Sequence, residues 1–104
     1  MWHPYKEGKT IGAEGSESGV IIQDEEWATE ARITLERGRN VPYSITCGIV
    51  GLMCHTTFSD SEEKAKDMLE SMKLDLQNYV CQLMTDEETE ESMGAWCDWF
   101  TRKY

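Results

Sequence analysis

The stretch YSITCGIVGLMCHTTF, residues 43–58, alternates apolar with small polar residues on both sides of a central Val50–Gly51 pair. Alternation with a period of two predicts two β-strands, and a glycine between them predicts a turn. Pro42 directly precedes the stretch and suits the start of a strand, because proline has no N–H to donate to a ladder. The stretch therefore predicts a β-hairpin at the centre of a small sheet.

The register of this hairpin determines which side chains share a face. An even loop centred on Val50 and Gly51 pairs Cys47 with Cys54 and produces an almost wholly apolar face, so burial favours it. One objection is that Val50 is a poor residue for the positive φ of a two-residue turn, which leaves a four-residue loop open. A three-residue loop would instead place less apolar residues on that face: Met53, His55 and Thr57.

The positions of the cysteines favour a role in core packing over a disulfide or a metal site. In the even register, Cys47 and Cys54 face each other with Cα atoms roughly 5.5 Å apart, which is within reach of a disulfide. Residues 1–10 have no apolar core after a basic start and so do not predict a signal peptide, and we therefore expect a cytoplasmic location and reduced, buried thiols. None of the four cysteines forms a Cys-x-x-Cys pair, so the sequence predicts no zinc site, no other metal and no cofactor.

The segment before the hairpin predicts further strands. Residues 19–23 form a β-branched run typical of a strand, and residues 24–26 indicate a turn or a helical first turn. Residues 27–37 fit both helical and strand spacing, but the β-branched pair Ile33 and Thr34 favours a strand over about 31–37 after a short helical turn. Residues 1–18 are rich in glycine and predict a loosely ordered segment before a single domain at 19–104.

Two amphipathic helices are predicted at the C-terminal end. An apolar stripe at helical spacing indicates a first helix over about 60–84, with Ser59 and Glu62 as its capping box. A second helix is expected over about 86–102, with Thr85 and Glu88 in the corresponding positions. Strands followed by helices are typical of an α+β fold, here with three or four antiparallel strands packed on two helices.

Charge narrows the range of partners. The 104 residues include 20 acidic and 10 basic residues, which gives a formal net charge of −10. Nucleic acids and anionic membranes are disfavoured because phosphate binding needs clustered lysine and arginine, whereas a basic protein partner suits this charge. No apolar run is long enough to cross a membrane.

Catalysis is not indicated by the residues present. Cys54 and His55 are adjacent, but neighbouring residues in a strand point to opposite faces, so they do not form a nucleophile–base pair. We therefore predict no catalytic residue and expect a domain that binds.

Two surfaces are candidates for that binding. The first is a sheet face left open by the helices, and the second is the acidic start of the last helix with a tryptophan off its apolar stripe. These surfaces supply the candidate site residues: Ser44, Thr46, His55 and Thr57 on the sheet, and Glu87, Glu88, Glu91 and Trp99 on the helix.

The sequence leaves three functions to compare. Size and charge favour protein–protein association, for example by a small inhibitor or immunity-type protein that neutralises a basic enzyme. A small-molecule or enzymatic domain with a pocket near His55, Thr46 and Tyr43 is the second hypothesis. A structural module that associates with itself through the aromatic last helix is the third, and it would make the protein a homodimer.

Overall fold

Five antiparallel strands lie side by side in chain order, and two helices follow them. The computed structural model describes residues 1–38 and 40–104. The predicted α+β class is confirmed, with five strands where three or four were expected. The strands are β1 (Trp2–Pro4), β2 (Val20–Trp27), β3 (Ala31–Arg37), β4 (Tyr43–Ile49) and β5 (Met53–Ser59), and the helices are α1 (Glu62–Thr85) and α2 (Glu90–Lys103).

Strand β2 continues through the acidic residues 24–26, so the turn predicted there is wrong. Charged residues in a strand are tolerated here because each one has a partner. Arg32 binds Asp24, while Lys73 of α1 and His3 of β1 bind the two glutamates that follow Asp24. The predicted strand over 31–37 is confirmed. The helical turn expected before it is wrong, because β2 extends to Trp27 and residues 28–30 form a hairpin turn in which Ala28 and Thr29 have positive φ.

The predicted register of the β4–β5 hairpin is wrong by one residue. Ile49 pairs with Met53 and Cys47 pairs with His55, so the loop has three residues. The N–H of Leu52 donates to the carbonyl of Ile49 over 3.0 Å, and Gly51 has φ +73°. A positive φ at the third position is typical of a type II turn, which needs glycine there and leaves Leu52 as an additional residue.

This register exchanges the two faces of β5. Cys54 is exposed on the sheet face away from the helices, and Cys47 is buried on the other, so the two thiols do not face each other. His55 lies under the helices, where its ring is nearly perpendicular to that of Phe100, at 6.1 Å between centroids. The Thr57 hydroxyl donates to the carbonyl of Tyr104 over 2.8 Å. The end of α2 therefore contacts His55 and Thr57, the polar residues for which the sequence pattern disfavoured this face.

The core lies between α1 and the three strands β3, β4 and β5. The apolar stripe predicted for the first helix is confirmed, although its N-cap is Ser61, whose side chain accepts from the N–H of Lys64. Helix α2 begins four residues later than predicted, because Thr89 and Ser92 form its capping box and residues 86–89 connect the helices. The α1 residues buried in the core are Ala65, Leu69, Met72, Leu76, Tyr79 and Val80.

Helix α2 is anchored by aromatic side chains. Phe100 is its one buried residue among the residues described, and it is fully covered. Trp96 stacks on Tyr79 of α1 at 4.1 Å between ring centroids and on Phe100 at 5.0 Å. The position of α2 therefore depends on a few large side chains.

The N-terminal segment folds over the sheet face that the helices leave free. The N–H of Gly12 donates to the carbonyl of Ile21, and the N–H of Ile21 donates to that of Ala13. The fully buried Glu36 carboxylate then accepts the backbone N–H groups of Glu17 and Gly19. How mobile residues 1–18 are stays a prediction.

No helix among the described residues is long and apolar enough to cross a membrane.

Candidate functional site

The sheet face away from the helices carries a cavity of about 600 Å³. The N-terminal segment covers the β2–β3 half of this face and forms one wall, while β4 and β5 form the floor and the opposite side. Gly48 contributes no side chain to the floor, and this leaves space between Arg32 of β3 and Cys54 of β5, which lie in the same row across the sheet. We call this space the open-face cavity.

Arg32 is held rigidly beside the open-face cavity. Its Nε and Nη2 donate to the two carboxylate oxygens of Asp24 over 2.9 and 2.7 Å, and its guanidinium lies 3.7 Å from the centroid of the Tyr5 ring. The hydrogen bonds to Asp24 raise the pKa of Arg32 above its ordinary value. Because the Arg32 side chain remains 44% exposed, its outer N–H groups are available to a ligand.

Asp24 is buried and has a complete set of donors. Besides Arg32, the hydroxyls of Thr10 and Thr34 donate to it over 2.9 and 3.0 Å. Thr10 belongs to the N-terminal segment, so the same carboxylate fixes both Arg32 and the cavity wall. A bidentate pair with a buried carboxylate gives the guanidinium one orientation.

The open-face cavity lacks the arrangement that nucleophilic catalysis needs. Cys54 is exposed there, but His55 points to the opposite sheet face, and Cys47 is buried, with a pKa raised to about 12 chiefly by desolvation. Within residues 1–38 and 40–104, no three His, Cys, Asp or Glu side chains are grouped to hold a metal ion. The arrangement suits reversible binding through hydrogen bonds and van der Waals contacts.

The structure divides the predicted sheet site between two faces. Ser44 and Thr46 lie on the open face, where Ser44 is buried and the Thr46 hydroxyl is 3.1 Å from that of Thr56. His55 and Thr57 lie under the helices. The pocket predicted near His55, Thr46 and Tyr43 is therefore not assembled, and the open-face cavity lies beside Thr46 instead.

The second predicted surface, at the start of the last helix, belongs to a long stretch of sequence without basic residues. Between Lys73 and Arg102 the chain has no basic residue, and it has seven acidic ones. We call the exposed part of residues 74–101 the acidic helix surface. Its exposed acidic residues are Asp86, Glu87, Glu90, Glu91 and Asp98, while Asp75 and Glu88 are partly buried.

The three predicted glutamates of this surface differ in their contacts. Glu87 and Glu91 are exposed. Glu88 is partly buried and accepts from the Gln82 amide and the Ser92 hydroxyl, each over 2.6 Å. Glu87 and Glu91 are thus free to meet a partner, while Glu88 stabilises the connection between the helices.

Trp99 lies on the surface of α2 and is 48% exposed. Its ring is held by Trp96, at 6.3 Å between centroids, and by the Lys103 ammonium group 4.9 Å away. Asp75 in turn accepts from that ammonium group over 2.9 Å and raises the pKa of Lys103. Trp99 is therefore a large, ordered side chain packed against the Lys103 ammonium group, which is itself paired with Asp75.

Sequence reasoning did not identify Arg32, Asp24 or Tyr5. The signal for the first two is present: Asp24 and Glu26 alternate in β2, opposite Thr34 and Arg32 in β3. It becomes visible only when residues 24–26 are taken as strand. Nothing in the sequence indicates that Tyr5 lies against Arg32, because that contact depends on the path of the N-terminal segment.

Comparison with known protein families, with curated proteins and with solved structures finds no match to this chain. A functional assignment therefore has to come from the chemistry of these two surfaces.

Proposed function

We propose that this protein is a small binding module that associates with a basic protein through the acidic helix surface. The observation that carries the proposal is the run of seven acidic residues without a basic one over 74–101, together with the half-exposed, ordered Trp99. Nucleic acids and anionic membranes would be repelled by the same charge.

Helical spacing supports a single contact surface. Glu91, Ala95 and Trp99 follow one another at intervals of four residues, so they lie along one side of α2, and all three are exposed. Carboxylates on such a surface accelerate the encounter with a basic partner, and a tryptophan supplies apolar contact area after docking. Charge would thus determine the association rate, and Trp99 the lifetime of the complex.

The class of partner that fits best is a basic enzyme, which the protein would cover as an inhibitor or immunity-type protein. We place this function in the cytoplasm, where exposed thiols such as those of Cys54 and Cys81 remain reduced.

Affinity capture from the source cells, followed by binding kinetics on the protein captured, tests the proposal. A variant with Glu87, Glu90 and Glu91 all changed to lysine should lose the partner, and raised salt should weaken wild-type binding by slowing association. The charge-matched control changes Glu7, Glu17 and Glu30 to lysine. These three glutamates are exposed but lie outside the acidic helix surface, so the control should retain the partner. Trp99→Ala should mainly raise the dissociation rate, by about tenfold or more.

Two results would count against the proposal. One is a captured partner that both lysine variants bind equally well. The other is a partner without excess positive charge, whose binding is insensitive to salt. Inhibition of the captured enzyme by the wild type would confirm the narrower, immunity-type assignment.

The open-face cavity supports a second candidate function, the binding of a small molecule. Its volume of about 600 Å³ lies in the range of ligand pockets, and Arg32 is fixed beside it. In an NMR fragment screen, a bound fragment should shift the amide resonances of Thr46, Gly48 and Cys54. Ser16 of the N-terminal segment also lines the cavity, so Ser16→Trp should fill the cavity and abolish these shifts. Shifts confined to residues around His55 would place the ligand elsewhere.

A further inference from the structure

The two edges of the sheet are protected very differently. Strand β1 has three residues, ends at Pro4 and is followed by Lys6 and Glu7 with positive φ, so it offers little for another strand to pair with. Strand β5 has seven residues and no proline. Within the described chain, no hydrogen bond to the backbone of β5 comes from outside β4.

The outer edge of β5 also lacks charge. Residues 41–59 contain no Asp, Glu, Lys or Arg, although 29% of the whole chain is charged. For β4 this is expected, because β4 lies inside the sheet. For β5 it is not, since edge strands ordinarily carry charges that prevent pairing with another chain.

The open-face side chains of β5 add apolar surface to this edge. Phe58 is 52% exposed and Cys54 is also exposed, with Thr56 between them. The three residues alternate along the strand and therefore share one face. An unpaired strand with exposed apolar side chains is a site for strand addition.

We propose that β5 pairs antiparallel with β5 of a second copy, so that two chains form one ten-stranded sheet. A two-fold axis at Thr56 places Cys54 opposite Phe58 of the partner subunit, and Phe58 opposite Cys54 of the partner subunit. Both exposed apolar groups are then covered by each other, and the threonines meet at the axis. The strand is thus complementary to itself.

Charge favours a second copy over a basic partner at this edge. Each chain carries a formal charge of −10, so two copies repel wherever their acidic surfaces meet. At β5 no like charges are brought opposite each other. A basic protein gains no electrostatic attraction from an uncharged strand, and it would be drawn to the acidic helix surface instead.

Pairing would also change the open-face cavity. Cys54 lines that cavity on its β5 side. With the two-fold axis at Thr56, Phe58 of the partner subunit lies next to Cys54 and adds a wall, so each copy helps to enclose the cavity of the other. The dimer does not depend on the proposed association with a basic protein, because the two use different surfaces.

The first test is the solution mass over a range of protein concentrations, by light scattering and sedimentation. The wild type should reach twice the chain mass of 12.0 kDa at high concentration. Thr56→Lys places two like charges at the axis and should raise the dimer dissociation constant about tenfold or more. Val50→Lys adds the same charge in the hairpin turn, where Val50 is 73% exposed, and should leave the dimer intact.

The second test fixes the register and does not depend on the folding of Thr56→Lys. In a Cys81→Ser background, Phe58→Cys should form disulfides with Cys54 of the partner subunit when oxidised glutathione accepts the electrons. Val50→Cys in the same background should not cross-link. A wild type that stays monomeric at high concentration overturns the proposal, as does a dimer in which neither Thr56→Lys nor Phe58→Cys has the stated effect.

Discussion

The buried carboxylate of Glu36 makes a specific prediction about the N-terminal segment. Its Oε1 accepts the N–H of Gly19 over 3.1 Å and that of Glu17 over 3.2 Å. Gly15 has no side chain at the point where a Cβ would overlap the Glu36 carboxyl group, so the loop and the carboxylate fit closely together. Replacing Glu36 by alanine should therefore release the loop at residues 15–19.

The magnitude follows from the two hydrogen bonds. Hydrogen bonds to a charged group contribute about 1.5–3 kcal/mol each, and leaving the N–H of the buried Gly19 without an acceptor costs about 1–3 kcal/mol. The favourable removal of a buried charge from the folded state offsets part of this loss. We expect Glu36→Ala to lower the free energy of opening of this loop by about 2–4 kcal/mol.

Amide hydrogen exchange measured residue by residue is the appropriate assay. Each tenfold change in an equilibrium corresponds to about 1.4 kcal/mol, so the amides of Glu17 and Gly19 should exchange roughly thirty to a thousand times faster in Glu36→Ala. Glu17→Ala is the control, since it removes an exposed side chain and keeps the backbone N–H. Amides that already exchange freely in the wild type, as the glycine-rich sequence predicts, would refute this reasoning.

Two further changes test the core. Phe100→Ala removes the one buried side chain described in α2 and should lower the free energy of unfolding, measured by urea titration, by about 3–5 kcal/mol. Trp99→Ala is the control, since Trp99 is half-exposed and its loss should cost under about 1 kcal/mol. Equal losses in the two variants would contradict the anchoring role of Phe100. The pKa of Cys47 is raised from 9.0 to about 12 by burial, so above pH 9 the unfolded thiol loses its proton first and stability falls with rising pH, by up to about 1.4 kcal/mol per pH unit from this group. Cys47→Ala should show a correspondingly smaller loss between pH 9 and 11, and parallel curves for the two proteins would contradict the burial of this thiol.

Local patterns determine much of the fold. The apolar stripe of α1 and the alternation in β3 and β4 are strong because each element buries one face against the same core. They place residues 31–37, 43–49 and 62–85 within a few residues of their observed bounds. The helix starts are less predictable, since the sequence offers several Ser and Thr residues as caps and only Ser61 and Thr89 are used.

Contacts distant in sequence determine the rest. Residues 24–26 form a strand because Arg32, Lys73 and His3 bind their carboxylates, and two of these three partners are more than 20 residues away. The open-face cavity likewise depends on the N-terminal segment, which Thr10 fastens to Asp24. Local sequence patterns do not reveal these distant partners. Residues 24–26 therefore resemble a turn, and the candidate site is predicted in the wrong place.

The register of β5 shows how the helix layer overrides the apolar pattern of a strand. Counting apolar residues favours the face with Cys54 and Phe58, yet the helix-covered face carries His55 and Thr57. The end of α2 satisfies only part of this face, because the Tyr104 carbonyl accepts the Thr57 hydroxyl and Phe100 packs against the imidazole ring. The Nε2 atom of His55 is buried there without a hydrogen-bond partner among the described residues. The consequence is that Phe58 is left exposed at a sheet edge, and the proposed pairing of β5 follows from that exposure.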